Sequence, residues 1–246
     1  MAKADNQSQT NGCANSTNVK EFFDQEWDLY KKVVKLNYMA HKEILEILRK
    51  LFRSVPPPMF SVLELGCGDA SLLSSALQGT GIAAYCGVDI SHYALEIAKK
   101  NMQLHQCDQR FIEGDLLEEV GSFGVEFDVI VAGFSLHHLM KEEKGQFFEK
   151  CRAALKARGT LIIFDEVCDP GENRNGFFNR FSSICMQEWN KLTNEEMLRI
   201  FDHVKNNDYP ETFEFYKQLA EEYEFRGSQM LFHDKHNLYG IFSFST

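Results

Sequence analysis

A carboxylate, two glycines and two further acids are spaced to hold one small ligand. In "VLELGCGDASLL", Glu64 stands two positions before Gly66 and four before Gly68, at the end of an apolar run. Glycines just past a strand let bare backbone approach a ligand closely. A dinucleotide loop would carry a third glycine, G-x-G-x-x-G, but that place is Ser71. Glu64 would repel a pyrophosphate and attract an ammonium group. Asp89 closes "CGVDIS", 23 residues after Gly66, where an acidic side chain accepts both hydroxyls of a ribose. Asp115, in "EGDLLE", is placed to accept from an exocyclic amine. Singly, Asp89 also reads as a helix N-terminal acid and Glu64 as a strand-end surface charge. Taken together, the three acids describe a nucleoside carrying a cationic amino-acid tail instead of phosphates.

A second group of residues could move protons. His137 and His138 lie in "GFSLHHLM", and an imidazole that titrates near neutrality suits deprotonation of a hydroxyl or ammonium nucleophile. Glu166, ending "GTLIIFDEV", is a similar candidate to bind or deprotonate an acceptor, whereas strand alternation sends Asp165 to the other face. The seven cysteines include no CxxC pair and no Cys/His cluster at zinc spacing. No metal is therefore expected, and the scattered thiols read as reduced in a cytoplasmic protein.

The elements that must position these residues alternate regularly. "FSVLELG", "AAYCGVDIS", "QRFIEGDL", "FDVIVAGFSLHHL" and "GTLIIFDEV" read as strands, separated by the helical stretches "ASLLSSALQ", "HYALEIAKKNMQ" and "EEKGQFFEKCRAALK". Val/Ile/Leu-rich strands alternating with helices imply an α/β fold, a doubly wound and mostly parallel sheet covered on both faces. After the polar break "DPGENRNGFFN", helices are expected over Phe181–Asn190, Thr193–Asn206 and Pro210–Tyr223, with Thr193 and Glu196 as a capping box. They form a helical insertion over about 170–224. The tail "FRGSQMLFHDKHNLYGIFSFST" reads as two strands around a tight turn.

Ahead of the sheet, residues 1–18 read as a disordered leader. Residues Val19–Phe52 have helical periodicity, and Pro56–Pro58 then break the chain. On one continuous helix Trp27, Tyr30, Val34, Asn37, Tyr38 and His41 fall within about a 100° arc, beside the apolar stripe Leu29, Val33, Leu36, Ala40. A polar–aromatic second face suggests a lid over ligand, spanning 19–55, with 56–246 as the main domain. The same face would also suit packing against the inserted helices.

"VLELGCGDASLL", "CGVDIS", "FIEGDLLE", "FDVIVAGFSLHHL" and "LKARGTLIIFDEV", in that order, resemble the motifs of class I S-adenosylmethionine-dependent methyltransferases. The resemblance covers about Phe60–Val167, and five ordered motifs at the usual spacing are specific where one is not. It implies a Rossmann-like fold with an antiparallel C-terminal strand and S-adenosylmethionine as cofactor. By resemblance Glu64, Gly66 and Gly68 form the methionine loop, Asp89 holds the ribose with Ile90 beside it, Asp115 and Leu116 frame the adenine, and Phe134 lends backbone to the methionine moiety. Ala70 departs from the pattern, standing where many members carry glycine.

Composition bounds the acceptor. The net charge is −10 with no segment dense in Lys and Arg, which disfavours nucleic acid. No apolar run approaches the length of a membrane span. The expected partner is a small molecule, cationic or an amine in the simplest case, methylated on O or N. Three other readings stand beside this one. An enzyme could use the same cofactor for intramolecular cyclisation, releasing methylthioadenosine. The chain could be a non-catalytic cofactor-binding protein. A nicotinamide oxidoreductase is disfavoured by Ser71 and Glu64.

Overall fold

The computed structural model describes residues 26–54 and 59–246. The expected leader, the start of the first helix and the Pro56–Pro58 connector lie outside the described residues. Strand β1 (Phe60–Leu65) is buried along its whole length. That is what a strand covered by helices on both faces requires, and it explains why FSVLEL shows no polar alternation. Strands β2 (Ile82–Asp89), β3 (Asp108–Glu113), β4 (Phe127–Gly133) and β5 (Leu155–Cys168) follow. Helices α3 (Ser71–Leu77), α4 (His92–Met102), α5 (Leu116–Val120) and α6 (Lys141–Ala154) connect them.

The sheet runs β3-β2-β1-β4-β5-β8-β7. Neighbours from β3 to β5 are parallel, whereas β8 (Tyr239–Ser245) pairs antiparallel with both β5 and β7 (Gly227–His233). The chain winds one way from β1 to β3 and the other from β4 to β5, so a crevice opens at the carboxyl ends of β1 and β4. The acids of the proposed ligand set sit on that side: Glu64 near the end of β1, Asp89 at the end of β2 and Asp115 two residues past β3.

Between β5 and β7 lie α7 (Arg174–Glu188), α8 (Asn194–Asn207), the two-residue β6 (Glu211–Thr212) and α9 (Phe213–Glu222). Two starts differ from expectation. Helix α7 begins at Arg174, inside the supposed polar break, because the Asn173 side chain accepts from Gly176 N and caps it. Helix α9 begins at Phe213 because Glu211 and Thr212 first pair with Val167 and Cys168, after which Thr212 caps the helix.

The N-terminal region is corrected more substantially. A helix over 26–35 (α1) ends in a turn at 36–39, and a second helix, α2, runs from His41 to Ser54. Asn37 and Ala40 sit at φ of 59° and 53°, a region a helix cannot continue through. The Asn37 side chain holds the break, accepting from Lys42 N at 2.8 Å and donating to Glu43 at 2.9 Å. Helix α2 buries Ile44, Leu48 and Phe52 completely or nearly so. It is therefore a core element, and a lid can only be α1.

Six described cysteines are free. Among the described residues no helix is long and apolar enough to cross a membrane.

Candidate active site

The crevice is a cleft of 1390 Å³ at the carboxyl ends of β1, β2 and β4. Gly66 and Gly68 turn the chain out of β1 at φ of 68° and 51°. A Cβ on Gly66 would come within 2.7 Å of Ser135 Cβ, since the loop packs directly on the residue after Phe134. Ala70 also takes a left-handed conformation, φ 52°, which explains why glycine suits that place; the alanine costs about 1–2 kcal/mol there. Gly66→Ala should cost more, because strain and clash add, by about 2–4 kcal/mol. A thermal midpoint lowered by several degrees checks this; an unchanged midpoint would mean the loop relaxes freely.

Asp89 is fixed before any ligand arrives. One carboxylate oxygen accepts from Gly68 N at 2.7 Å and the other from Ser91 N at 2.8 Å. These bonds orient the carboxylate, whose two oxygens carry about four acceptor sites in all. Asp115 caps α5 through Leu117 N and Glu118 N, and both of those bonds fall on the same oxygen. Ile90, Asp115, Leu116 and Phe134 all line the cleft with the glycine loop. Ser135, Asp69 and Tyr209 line it too, although no sequence pattern singled them out.

Glu64 is 5% exposed and accepts one hydrogen bond, from Tyr85 Oη at 2.5 Å. Burial pushes its carboxyl up to about 8, and the negative Asp69 and Asp89 add to the effect against the Tyr85 bond. Such a group is poised to ionise when a cation arrives.

Helix α1 closes the cleft from above. Trp27 Cη2 lies 3.8 Å from the Cβ position of Gly68, and Trp27 stacks towards Tyr30 at 5.6 Å between centroids. The indole Nε1 of Trp27 is buried without a hydrogen-bond partner. His41 stacks on Phe134 at 5.0 Å, and burial holds its imidazole neutral, down to about 4. Trp27, Tyr30, Val34 and His41 thus line the cleft. Asn37 and Tyr38 do not, because the helix breaks before them. Asn37 holds the turn, while Tyr38 stacks on Trp189 at 4.9 Å and 6° and accepts from Lys191 N.

Beyond the cleft lies a small chamber of 80 Å³, sharing Tyr30 and Phe134 with it. Glu166, His137, Trp189 and Tyr239 are among its walls. Glu166 Oε2 is buried with no hydrogen-bond partner, and burial, with Asp208 nearby, raises its carboxyl well above the usual range. His138 instead lines the large cleft. Asp165, which alternation sent elsewhere, is fully buried against the turn after β4. Its carboxylate accepts from His137 N at 3.0 Å and pairs with His137 Nδ1. Burial alone would strip the His137 proton, but Asp165 and Asp208 raise the imidazole to about 10.

Residues 63–161 match the family described as Methyltransferase domain. The chain is 28% identical over 148 residues to a 2-ketoarginine methyltransferase of Streptomyces arginensis, covering 56% of this chain and 42% of that one. It is 31% identical over 127 residues to a malonyl-[acyl-carrier protein] O-methyltransferase of Halalkalibacterium halodurans, covering 51% and 45%. The chain thus spans about half the length of the curated relatives it matches. Its fold is shared with magnesium protoporphyrin IX methyltransferase from Synechocystis PCC 6803, solved with bound S-adenosylhomocysteine, at a TM-score of 0.65 and 15% identity over 94% of this chain and 99% of that one.

Proposed function

We propose, on the premise that this chain belongs to the class I S-adenosylmethionine-dependent methyltransferase family, that it methylates an O or N nucleophile of a small molecule. The observation that carries this reading is the pairing of two spaces: a roofed cleft with a ribose-type carboxylate and, across the shared walls Tyr30 and Phe134, a small chamber that holds a buried carboxyl group. Asp89 would take the ribose hydroxyls, Asp115 and Leu116 the adenine edge, and Glu64 the ammonium of the methionine tail. When bound, the cofactor supplies a sulfonium-activated methyl group.

The chain's own residues then orient and enclose. Tyr30 and Phe134 stand between cleft and chamber, so an acceptor entering the chamber meets the methyl end of a ligand seated in the cleft. Glu166, lacking any protein partner on Oε2, is the group we place against the acceptor's N–H or O–H. Trp189, Tyr239 and Tyr30 add π-faces that favour a cationic or amine acceptor by about 0.5–2 kcal/mol each when desolvated. Glu166, once ionised, would accept through Oε2 the proton that the nucleophile gives up on taking the methyl group. Helix α1 excludes water from this step, so its contacts act on orientation.

Incubating the full chain with S-adenosylmethionine and an amine and phenol library tests the reading. S-adenosylhomocysteine together with a methylated library member is expected. Methylthioadenosine would instead mark intramolecular cyclisation and overturn it.

Glu64 makes binding pH-dependent. Its folded value lies above the unfolded one, so the free protein keeps a proton there that the unfolded chain has lost. Stability from this group is therefore full below about 4.5 and falls as pH rises towards about 8. An ammonium beside Glu64 drives ionisation, so binding of S-adenosylhomocysteine should release a proton between pH 5.5 and 7.5, and affinity should rise by up to about tenfold per pH unit. Calorimetry in two buffers of different ionisation enthalpy measures the proton; absence of release would remove the ammonium from Glu64.

A further inference from the structure

On the chamber's far side, three imidazoles converge on one carboxylate oxygen. His137 and His138 occupy the short helical turn after β4, His203 lies in α8, and Asp208 follows the end of α8. Asp208 Oδ1 is 3.1 Å from His138 Nδ1, 3.6 Å from His203 Nε2 and 3.8 Å from His137 Nε2. All four residues are buried or nearly so, Asp208 at 2% exposure. Despite these neighbours, Asp208 Oδ1 accepts no hydrogen bond of acceptable geometry. We propose that His137, His138 and Asp208 bind a divalent transition-metal ion of the zinc type, at the seam between the β4 turn and α8.

The donor atoms of these three residues lie within 4.8 Å of one another. Zinc–nitrogen and zinc–oxygen bonds of about 2.0–2.2 Å set tetrahedral ligands roughly 3.3–3.6 Å apart, so the contacts of Asp208 bracket the required edge. His203 Nε2 is 3.6 Å from the same oxygen but does not belong to the set of mutually close donors, so it is assigned no bond to the metal. Imidazole and carboxylate together suit zinc, iron, nickel or cobalt better than magnesium or calcium.

The surrounding groups match a metal site in a second respect. His137 pairs through Nδ1 with Asp165, whose other oxygen accepts from His137 N. A carboxylate on the far nitrogen orients a metal-bound histidine and raises its basicity. The backbone is pinned as well, since Tyr209 N donates to His137 O at 2.6 Å. A metal would displace the proton that His137 otherwise carries and would tie the helical insertion to the sheet beside the chamber. No zinc spacing announced the cluster, because its donors come from two segments that only the fold brings together.

Metal content tests this without reference to turnover. The full chain, prepared without a histidine tag or chelator, is expected to hold about one transition-metal ion, and the stripped protein to take up Zn²⁺ and Co²⁺ at about one per chain. Asp208→Asn and His138→Ala should abolish stoichiometric binding. Asp165→Asn, acting through His137 as a positioning residue, should weaken it by about 10–100-fold. Binding of S-adenosylhomocysteine by each variant shows that it is folded. If Asp208→Asn does not fold, cobalt bound to the natural chain should still give the visible bands of a four- or five-coordinate site and shifted imidazole proton resonances. Failure of the natural chain to bind Zn²⁺, Co²⁺, Mn²⁺ or Ni²⁺ overturns the proposal, as does a folded Asp208→Asn that binds metal undiminished.

Discussion

Asp89→Ala should weaken S-adenosylhomocysteine binding by about 10–100-fold, because hydrogen bonds to an ionised group are worth about 1.5–3 kcal/mol. The carboxylate is held by Gly68 N and Ser91 N, so a ligand's hydroxyls meet an acceptor that needs no reorganisation. Truncation also frees Gly68 N, which loosens the loop over the methionine end, and losses at both ends of the ligand are expected. Calorimetry on the folded variant measures them. NAD serves as the control. Glu64 stands where a pyrophosphate would lie, so NAD should bind far more weakly than S-adenosylhomocysteine. Undiminished affinity in Asp89→Ala, or NAD binding as tightly as S-adenosylhomocysteine, would remove the cofactor assignment.

Trp27→Ala combined with Tyr30→Ala should lower turnover by about 100-fold or more, since small displacements of a reacting centre cost that much. These residues are the roof of the cleft. Trp27 meets the glycine loop, while Tyr30 stands between cleft and chamber. The helix itself should persist, because its other side is anchored independently. Leu29 and Val33 are buried in the core cluster with Phe181 and Trp189, and Lys32–Glu196 and Glu26–Arg199 tie it to α8. Such partly exposed ion pairs contribute only about 0–1 kcal/mol each, so the anchor that survives the double substitution is chiefly the burial of Leu29 and Val33. Deleting residues 1–53 is no substitute, because it removes Ile44, Leu48 and Phe52 from the core. Unaltered turnover in the folded double variant would make the roof mere packing.

What could be read from the sequence followed from how local the cause was. That the glycine loop, Asp89 and Asp115 meet in one cleft was legible because each follows from a local strand-to-helix turn. The parallel strands themselves were legible for the same reason, as each announces itself by a short apolar run. The N-terminal helix misled because 3.6-residue periodicity continues across Asn37, whereas the break is made by one side chain capping the next helix. Alternation along β5 separated Asp165 from Glu166, and Asp165 indeed lines neither space while Glu166 lines the chamber, but it could not show what the Asp165 carboxylate meets instead. Its partner, the turn after β4, was invisible in β5 itself. Asp208 and His203 had no local signature at all. Their meaning depends on where α8 docks, which is a property of the whole insertion.

The cofactor cleft and its roof are tested together by hydrogen exchange of the full chain with and without S-adenosylhomocysteine. Slowed exchange is predicted in three strand-end segments, 64–72, 89–91 and 114–118, and in residues 26–35 of α1, with α2 already protected in the free protein. Protection confined to other segments, or none at the glycine loop, would contradict a cofactor seated beneath α1.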